Sequence, residues 1–202
     1  AKAMVNCMLG KVNPSGKLAE TYPEKLEDTP CYKNYPGTEL TVEYQESIYV
    51  GYRYYDMNNV KVLFPFGYGL SYTEFEYSNL KVNEQESKVK VSFAIRNIGK
   101  RKGKEIAQIY LSQEDPTIFK PKKELKEFEK VELEVGEEKQ VEIILNKKAF
   151  EYFNPETNKW SIEQGKYKIL VGKSSRDIVL EKEIFIESKD KNIEKNILKN
   201  II

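Results

Sequence analysis

"SKVKVSFAIRNIG" (residues 87–99) places Val89, Val91, Phe93 and Ile95 at every second position, with Lys90, Ser92, Ala94 and Arg96 between them. Alternation of this kind marks an extended strand with one packed and one solvated face. The period recurs at Ile106, Gln108 and Tyr110, at Val141, Ile143 and Leu145, and at Tyr167, Ile169 and Val171. Working outward, "EFEYSNLKV" (74–82), "KEIAQIYLS" (104–112), "KELKEFEKVEL" (123–133), "KQVEIILN" (139–146), "GKYKILVGKSS" (165–175) and "DIVLEKEIFIE" (177–187) complete a series of strand-like segments. Turn signals separate them at "NIGKRKG" (97–103), "VGEE" (135–138) and "NPETNK" (154–159).

Seven strands within about 110 residues match the size of an immunoglobulin-like or fibronectin type III-like β-sandwich. The chain contains no cysteine pair placed to staple two sheets, which favours the fibronectin-like variety. Trp160, Phe150 and Tyr152 are expected to pack the ends of the sandwich.

The sequence before residue 75 has a different character. Residues 2–9, "KAMVNCML", read as the last turns of a helix stopped at Gly10, and "NPSG" (13–16) as a turn. Pro23, Pro30 and Pro36 punctuate the irregular stretch beyond that turn. "SIYVGYRYYD" (47–56) alternates with aromatic residues on both sides, so it reads as a strand covered on both faces. In "LFPFGYGLSY" (63–72), Phe64, Phe66, Tyr68, Leu70 and Tyr72 are expected to be mostly buried at a joint between two parts of the molecule. There Gly67 and Gly69 would allow close backbone approach and Pro65 would stiffen the entry. The first 74 residues offer too little regular structure to offset a backbone ordering cost of about 1–2 kcal/mol per residue, so they must lean on something else. The tail "KDKNIEKNILKNII" (189–202) puts Ile193, Ile197, Leu198, Ile201 and Ile202 on one helical stripe, consistent with a short docking helix.

Composition removes several classes of function. With 33 Lys and Arg against 32 Asp and Glu, the formal charge is +1, without the clustered basic excess of a nucleic-acid or anionic-membrane binder. No histidine is present, which excludes Ser-His-Asp and Cys-His catalysis and histidine metal sites. Cys7 and Cys31 lack metal-type spacing and read as reduced thiols. No cofactor and no metal is expected. No apolar run approaches the ~20 residues of a membrane span and no signal peptide heads the sequence, so the expected location is cytoplasmic.

"GKVNPSGKL" (10–18) superficially looks like a phosphate loop, but its glycines are one residue too far apart and Leu18 stands where Ser or Thr belongs. Glycoside hydrolysis requires two carboxylates. The best-placed acids are Asp56, Glu43 and Glu46, yet they form no convincing pair, and Asp56 reads first as an ion-pair partner of Arg53 or a turn cap. Tyr52, Arg53, Tyr54 and Asp56 remain candidates for contacting a sugar, since tyrosine offers a flat apolar face with a polar handle. A buried strand between domains explains the same residues.

"LGKVNPSGKLAETYP" (9–23), "YPGTELTVEYQESIYVGYRYYD" (35–56) and "LFPFGYGLSYTEFEYSNLKV" (63–82) resemble the C-terminal part of family 3 glycoside hydrolases, of the bacterial β-glucosidase type that ends in a fibronectin type III-like domain. The resemblance continues to residue 187. It implies a mainly β fold with an immunoglobulin-like/fibronectin type III-like β-sandwich over residues 75–187. Ahead of this, residues 1–62 would form the incomplete C-terminal end of an α/β sandwich domain with an extended linker, and 63–74 an aromatic-glycine joint. Residues 188–202 would form a tail outside the resemblance. In that family an aspartate nucleophile comes from a preceding barrel and a glutamate acid/base from the α/β domain, upstream of "NPSGKL". Neither motif occurs in this sequence, so no catalytic residue is carried over. The implied partners are the N-terminal catalytic domains of the same enzyme and, for the intact enzyme, β-glucosides or oligosaccharides. Relatives of this architecture also act on xylosides and arabinosides. The competing reading is a stand-alone carbohydrate-binding or scaffolding module.

Overall fold

A computed structural model describes residues 1–37, 40–85 and 88–187; the expected helix in the 188–202 tail falls outside them. The chain opens with helix α1 (Lys2–Met8), which ends where the backbone N–H groups of Lys11 and Val12 both donate to the Asn6 carbonyl. Strand β1 (Tyr22–Pro23) pairs antiparallel with β2 (Val62–Phe64), and the six-residue helix α2 (Tyr52–Met57) lies between them in sequence. Nine strands come after β2: β3 (Phe75–Gln85), β4 (Lys88–Asn97), β5 (Gly103–Gln113), β6 (Glu124–Leu133), β7 (Glu138–Asn146), β8 (Glu151–Asn154), β9 (Lys159–Ile162), β10 (Gly165–Gly172) and β11 (Ile178–Ile186).

Seven of them build the sandwich. One sheet runs β3-β4-β7, the other β11-β10-β5-β6, and all neighbours are antiparallel. Val89, Val91, Phe93 and Ile95 of β4 face Ile169, Val171 and Tyr167 of β10 across a core that also takes Val141, Ile143 and Leu145. Phe93, Ile95, Ile169 and Val171 are wholly inaccessible to solvent. Each such side chain contributes about 1.5–3 kcal/mol of burial free energy, which is why period-two runs settle as strands facing inward. Gln85 pairs with Lys88 at the β3–β4 hairpin end, while the β10–β11 register shifts after the Val171–Leu180 pair, Gly172 pairing with Ile178. β8 and β9 pair only with each other, as a separate two-stranded hairpin.

Three expectations need correction. Residues 47–56 do not form a strand. Gly51 adopts φ 60° and ψ −133°, a conformation costly for residues with a Cβ, and this breaks the extended run so that Tyr52–Met57 coil into α2. In β5 the inter-sheet core takes Ala107, Ile109 and Leu111 rather than the alternating set Ile106, Gln108 and Tyr110. Gln108 and Tyr110 are buried all the same, on the opposite face of the sheet. Finally, Trp160 does not pack an end of the sandwich, being 66% exposed, whereas Phe150 enters the core and Tyr152 is half-buried.

Candidate functional site

The outward face of β5 is closed by the N-terminal segment. Gln108 is the centre of that contact: its Nε2 donates to the carbonyls of Gly67 (3.1 Å) and Lys173 (2.8 Å), and its Oε1 accepts from Tyr110 Oη (2.6 Å). A Cβ on Gly67, whose φ is +78°, would sit 2.0 Å from Gln108 Oε1, so only glycine fits here. The Phe66 carbonyl accepts from Ser175 N (2.9 Å), while Leu18 and residues 67–68 exchange backbone hydrogen bonds at 2.8 Å. Tyr52 stacks tilted against Phe66 (5.0 Å between centroids) and edge-on to Tyr110 (6.0 Å), and its phenol oxygen accepts from Leu125 N at 2.8 Å. Burial raises the Tyr52 phenol above its ordinary value against the pull of Leu125 N–H and Arg53.

Two charged clusters flank this aromatic centre. On one side Lys17 Nζ lies 3.3 Å from Glu105 Oε1 and donates to the Lys173 carbonyl (3.2 Å), and Tyr77 Oη donates to the same Glu105 oxygen (3.0 Å). Burial, reinforced by the Glu105 charge, drives the Tyr77 phenol far above its ordinary value, so it stays protonated as a donor throughout the accessible pH range. On the other side Asp56, 8% exposed, is held between Lys123 Nζ (2.7 Å) and Arg176 Nε (3.2 Å). Arg176 Nη2 also donates to the carbonyls of Tyr55 (3.1 Å) and Val60 (2.8 Å), clamping the C-terminal end of α2. Arg53 instead pairs with Glu124 (3.0 Å), so the expected Arg53–Asp56 ion pair does not form.

A third contact ties the chain's beginning to the β4–β5 turn. Asn13 donates to the Lys102 carbonyl (3.0 Å) and accepts from Ser71 Oγ (3.1 Å) and Tyr72 N (2.9 Å). Arg101 donates to the Gly10 carbonyl (3.0 Å) and lies over the Tyr72 ring (5.6 Å), and Tyr72 Oη donates to the Cys7 carbonyl (2.9 Å).

Comparison with known proteins agrees with these two regions. Residues 1–72 match the glycosyl hydrolase family 3 C-terminal domain, and residues 105–175 the fibronectin type III-like domain. The chain belongs to glycoside hydrolase family 3, as the C-terminal part of its members. It is 49% identical over 190 residues to the thermostable β-glucosidase B of Acetivibrio thermocellus, covering 92% of this chain and 25% of that protein. An exo-α-(1→6)-L-arabinopyranosidase of Bifidobacterium breve is 42% identical over 177 residues, covering 87% of this chain and 23% of its own length. The crystal structure of the Kluyveromyces marxianus β-glucosidase in complex with glucose superposes with a TM-score of 0.88 at 45% identity, over 92% of this chain and 23% of that one. The family 3 chain described here thus spans about a quarter of the length of the relatives it matches, and these relatives come from fungi as well as bacteria.

In this family 3 chain the aromatic-glycine stretch divides. Gly67 is buried, and Phe66, Tyr68 and Gly69 are half-buried. Phe64 (37%), Leu70 (69%) and Tyr72 (49%) are exposed, contrary to the expectation of general burial. Alternation alone does not say which face of the stretch meets the sandwich. Of the four sugar-contact candidates, Tyr52, Arg53 and Asp56 have their polar groups engaged within the chain, and Tyr54 packs edge-on against Tyr55 (5.4 Å). Lys17, Glu105, Gln108, Lys123 and Arg176 escape sequence reasoning. Gln108 and Glu105 carry a signal, as polar residues within the apolar run "EIAQIYL"; the others do not. Among the described residues no group of His, Cys, Asp and Glu is placed to hold a metal, and no helix is long and apolar enough to cross a membrane.

Proposed function

We propose that this chain is the C-terminal structural module of an enzyme that hydrolyses terminal β-D-glucosyl residues with retention, through a covalent glycosyl-enzyme, and that it supplies architecture rather than reacting groups. One observation carries the reading: the two buried acids among the described residues, Asp56 and Glu105, are spent on holding the segment in place. Retaining hydrolysis needs a nucleophile and an acid/base about 5–5.5 Å apart around a sugar. Asp56 instead sits between Lys123 and Arg176, and Glu105 between Lys17 and Tyr77. Both arrangements suit anchoring, because a buried carboxylate already enclosed by fixed donors offers no room to a pyranose. Residues 63–72 act as the joint in this reading: Phe66 and Gly67 seal the outer face of β5, while the exposed Phe64 and Leu70 stay available to a neighbour. The neighbour is the remainder of a longer polypeptide, against which the uncovered Met4, Val5, Met8 and Leu9 of α1 and its end would pack. The sugar is set elsewhere, since relatives matching over the same region include an arabinopyranosidase as well as β-glucosidases. A cytoplasmic setting is part of the proposal; the free thiols of Cys7 and Cys31 support it.

The test is reconstitution. The purified chain and a separately expressed polypeptide encoding the preceding region are assayed with an aryl β-glucoside, alone and mixed. Activity is expected only in the mixture. Sustained turnover by this chain alone, abolished by Asp56→Asn or by Glu105→Gln, would overturn the proposal.

A further inference from the structure

The β8–β9 hairpin carries the chain's only tryptophan, and carries it outward. Phe153 and Trp160 are directly paired across the two strands, with ring centroids 5.7 Å apart at 74°. Phe153 is 47% exposed and Trp160 66%. The hairpin that presents them is rigidly founded. Ser161 and Ile162 of β9 are buried, Tyr152 on the face opposite Phe153 receives the Lys120 ammonium at 4.7 Å, and Asn154 Oδ1 accepts from Glu156 N (2.9 Å) and Thr157 N (3.4 Å) to order the tip.

We propose that Phe153 and Trp160 form a saccharide-binding platform, which stacks a pyranose ring of a neutral β-linked oligosaccharide. Two properties of the patch select this ligand. Rings of this size bury about 150–250 Å² each, far below the ~800 Å² per partner of a stable protein–protein contact, but of the right extent for one or two sugar rings. The hairpin carries Glu151 and Glu156 against Lys159, a near balance that gives no purchase to a polyanion. The electron-rich ring face meets the weakly positive C–H bonds on one side of a pyranose, while Thr157 and Asn158 at the exposed tip supply hydrogen-bonding groups for the hydroxyls. The choice of a saccharide rests on the family 3 reading; the platform is distinct from the joint.

Because Trp160 is the sole indole, its fluorescence reports this patch alone. Titrating the 202-residue chain with cellopentaose is expected to give a saturable change in emission. Phe153→Ala, which keeps the reporter, should weaken binding about tenfold. Trp160→Ala should abolish the binding heat in calorimetry while thermal melting shows the fold intact. An emission spectrum unchanged up to about 10 mM ligand, above the ~1 mM dissociation constant of even a weak complex, would overturn the proposal. So would a response equal in wild type and Phe153→Ala, or an emission shift that tracks protein concentration without sugar. Reconstituted glucosidase activity with no titration signal would refute the platform and leave the family reading standing. The reverse result would refute the reading of the whole enzyme and leave the platform.

Discussion

The two regions of this molecule gain their order by different means. From Phe75 onward, apolar side chains of facing sheets meet in a closed core in which Val91, Phe93, Ile95 and Ile169 have no solvent exposure. Before Phe75, Tyr55 is the single buried apolar side chain among the described residues, and Met8, Leu9, Tyr44 and Leu40 lie in the open. The N-terminal segment is held instead by directed contacts reaching back from the sandwich: Gln108 to Gly67, Arg176 and Lys123 to Asp56, Glu105 to Lys17, Arg101 to Gly10. Burial is additive and tolerant, so a sandwich survives many substitutions of similar volume. Directed contacts hold by geometry, and losing one partner leaves the other stranded.

That contrast can be broken by experiment. The largest effect is expected for Phe93→Ala, which should cost about 3–5 kcal/mol in urea unfolding, whereas Met8→Ala in this chain should change stability by under about 0.5 kcal/mol. Equal effects would erase the distinction. Next, Asp56→Ala leaves Lys123 and Arg176 facing one another; removal of one member of a buried pair costs about 3–5 kcal/mol, reduced here to roughly 2–3 because Arg176 is about one-third exposed. Amide exchange should speed up across Tyr52–Met57 and leave β4 and β10 unchanged. Arg53→Ala, which removes the partly exposed pair with Glu124 and a long contact to the Ile48 carbonyl (3.5 Å), should cost under about 1 kcal/mol.

The smallest effect concerns pH. Burial pushes the Glu163 carboxyl up, but hydrogen bonds from Thr117 N (2.7 Å) and Oγ1 (2.6 Å), together with Lys120 at 3.2 Å, outweigh it and hold the group below its ordinary 4.5. A carboxyl depressed in the folded state stabilises above its unfolded value, and the gain is lost as pH falls through the folded one. Glu163→Gln should therefore cost about 1 kcal/mol at neutral pH and converge with wild type well below pH 4.5. A difference that persists undiminished at low pH would remove the ionic part of this account.

The sandwich is legible in the sequence because its signal is local and repeated: a strand with one inward face displays that face every second residue. The joint is less so. "SIYVGYRYYD" has the β-branched and aromatic content of a strand, yet Gly51 turns it and Arg176, 120 positions from Asp56, locks the resulting helix. No local pattern encodes a partner that far away. Strand β5 reads with the wrong face inward because both of its faces are buried, and alternation distinguishes faces only when one is wet. Gln108, sitting in the alternating apolar set, is the available clue. Size alone places Trp160 in the interior, and exposure of a large ring is something composition cannot show.

Gln108 also sets where the sandwich can be cut. Its amide is shielded because residues 66–68 lie over it, and its carbonyl oxygen is satisfied by a tyrosine that Tyr52 and its neighbours cover in turn. Excising the β-sandwich at Phe75, the boundary that strand patterning suggests, would leave Gln108, Tyr110, Glu105 and Tyr77 on a raw surface, and would strand the Ser175 N–H beside them. A graft that keeps Lys17–Thr21 and Tyr52–Thr73 with the sandwich carries its own lid. The transplantable unit is therefore discontinuous in sequence, and anyone moving this domain to another protein would need to move its cover as well.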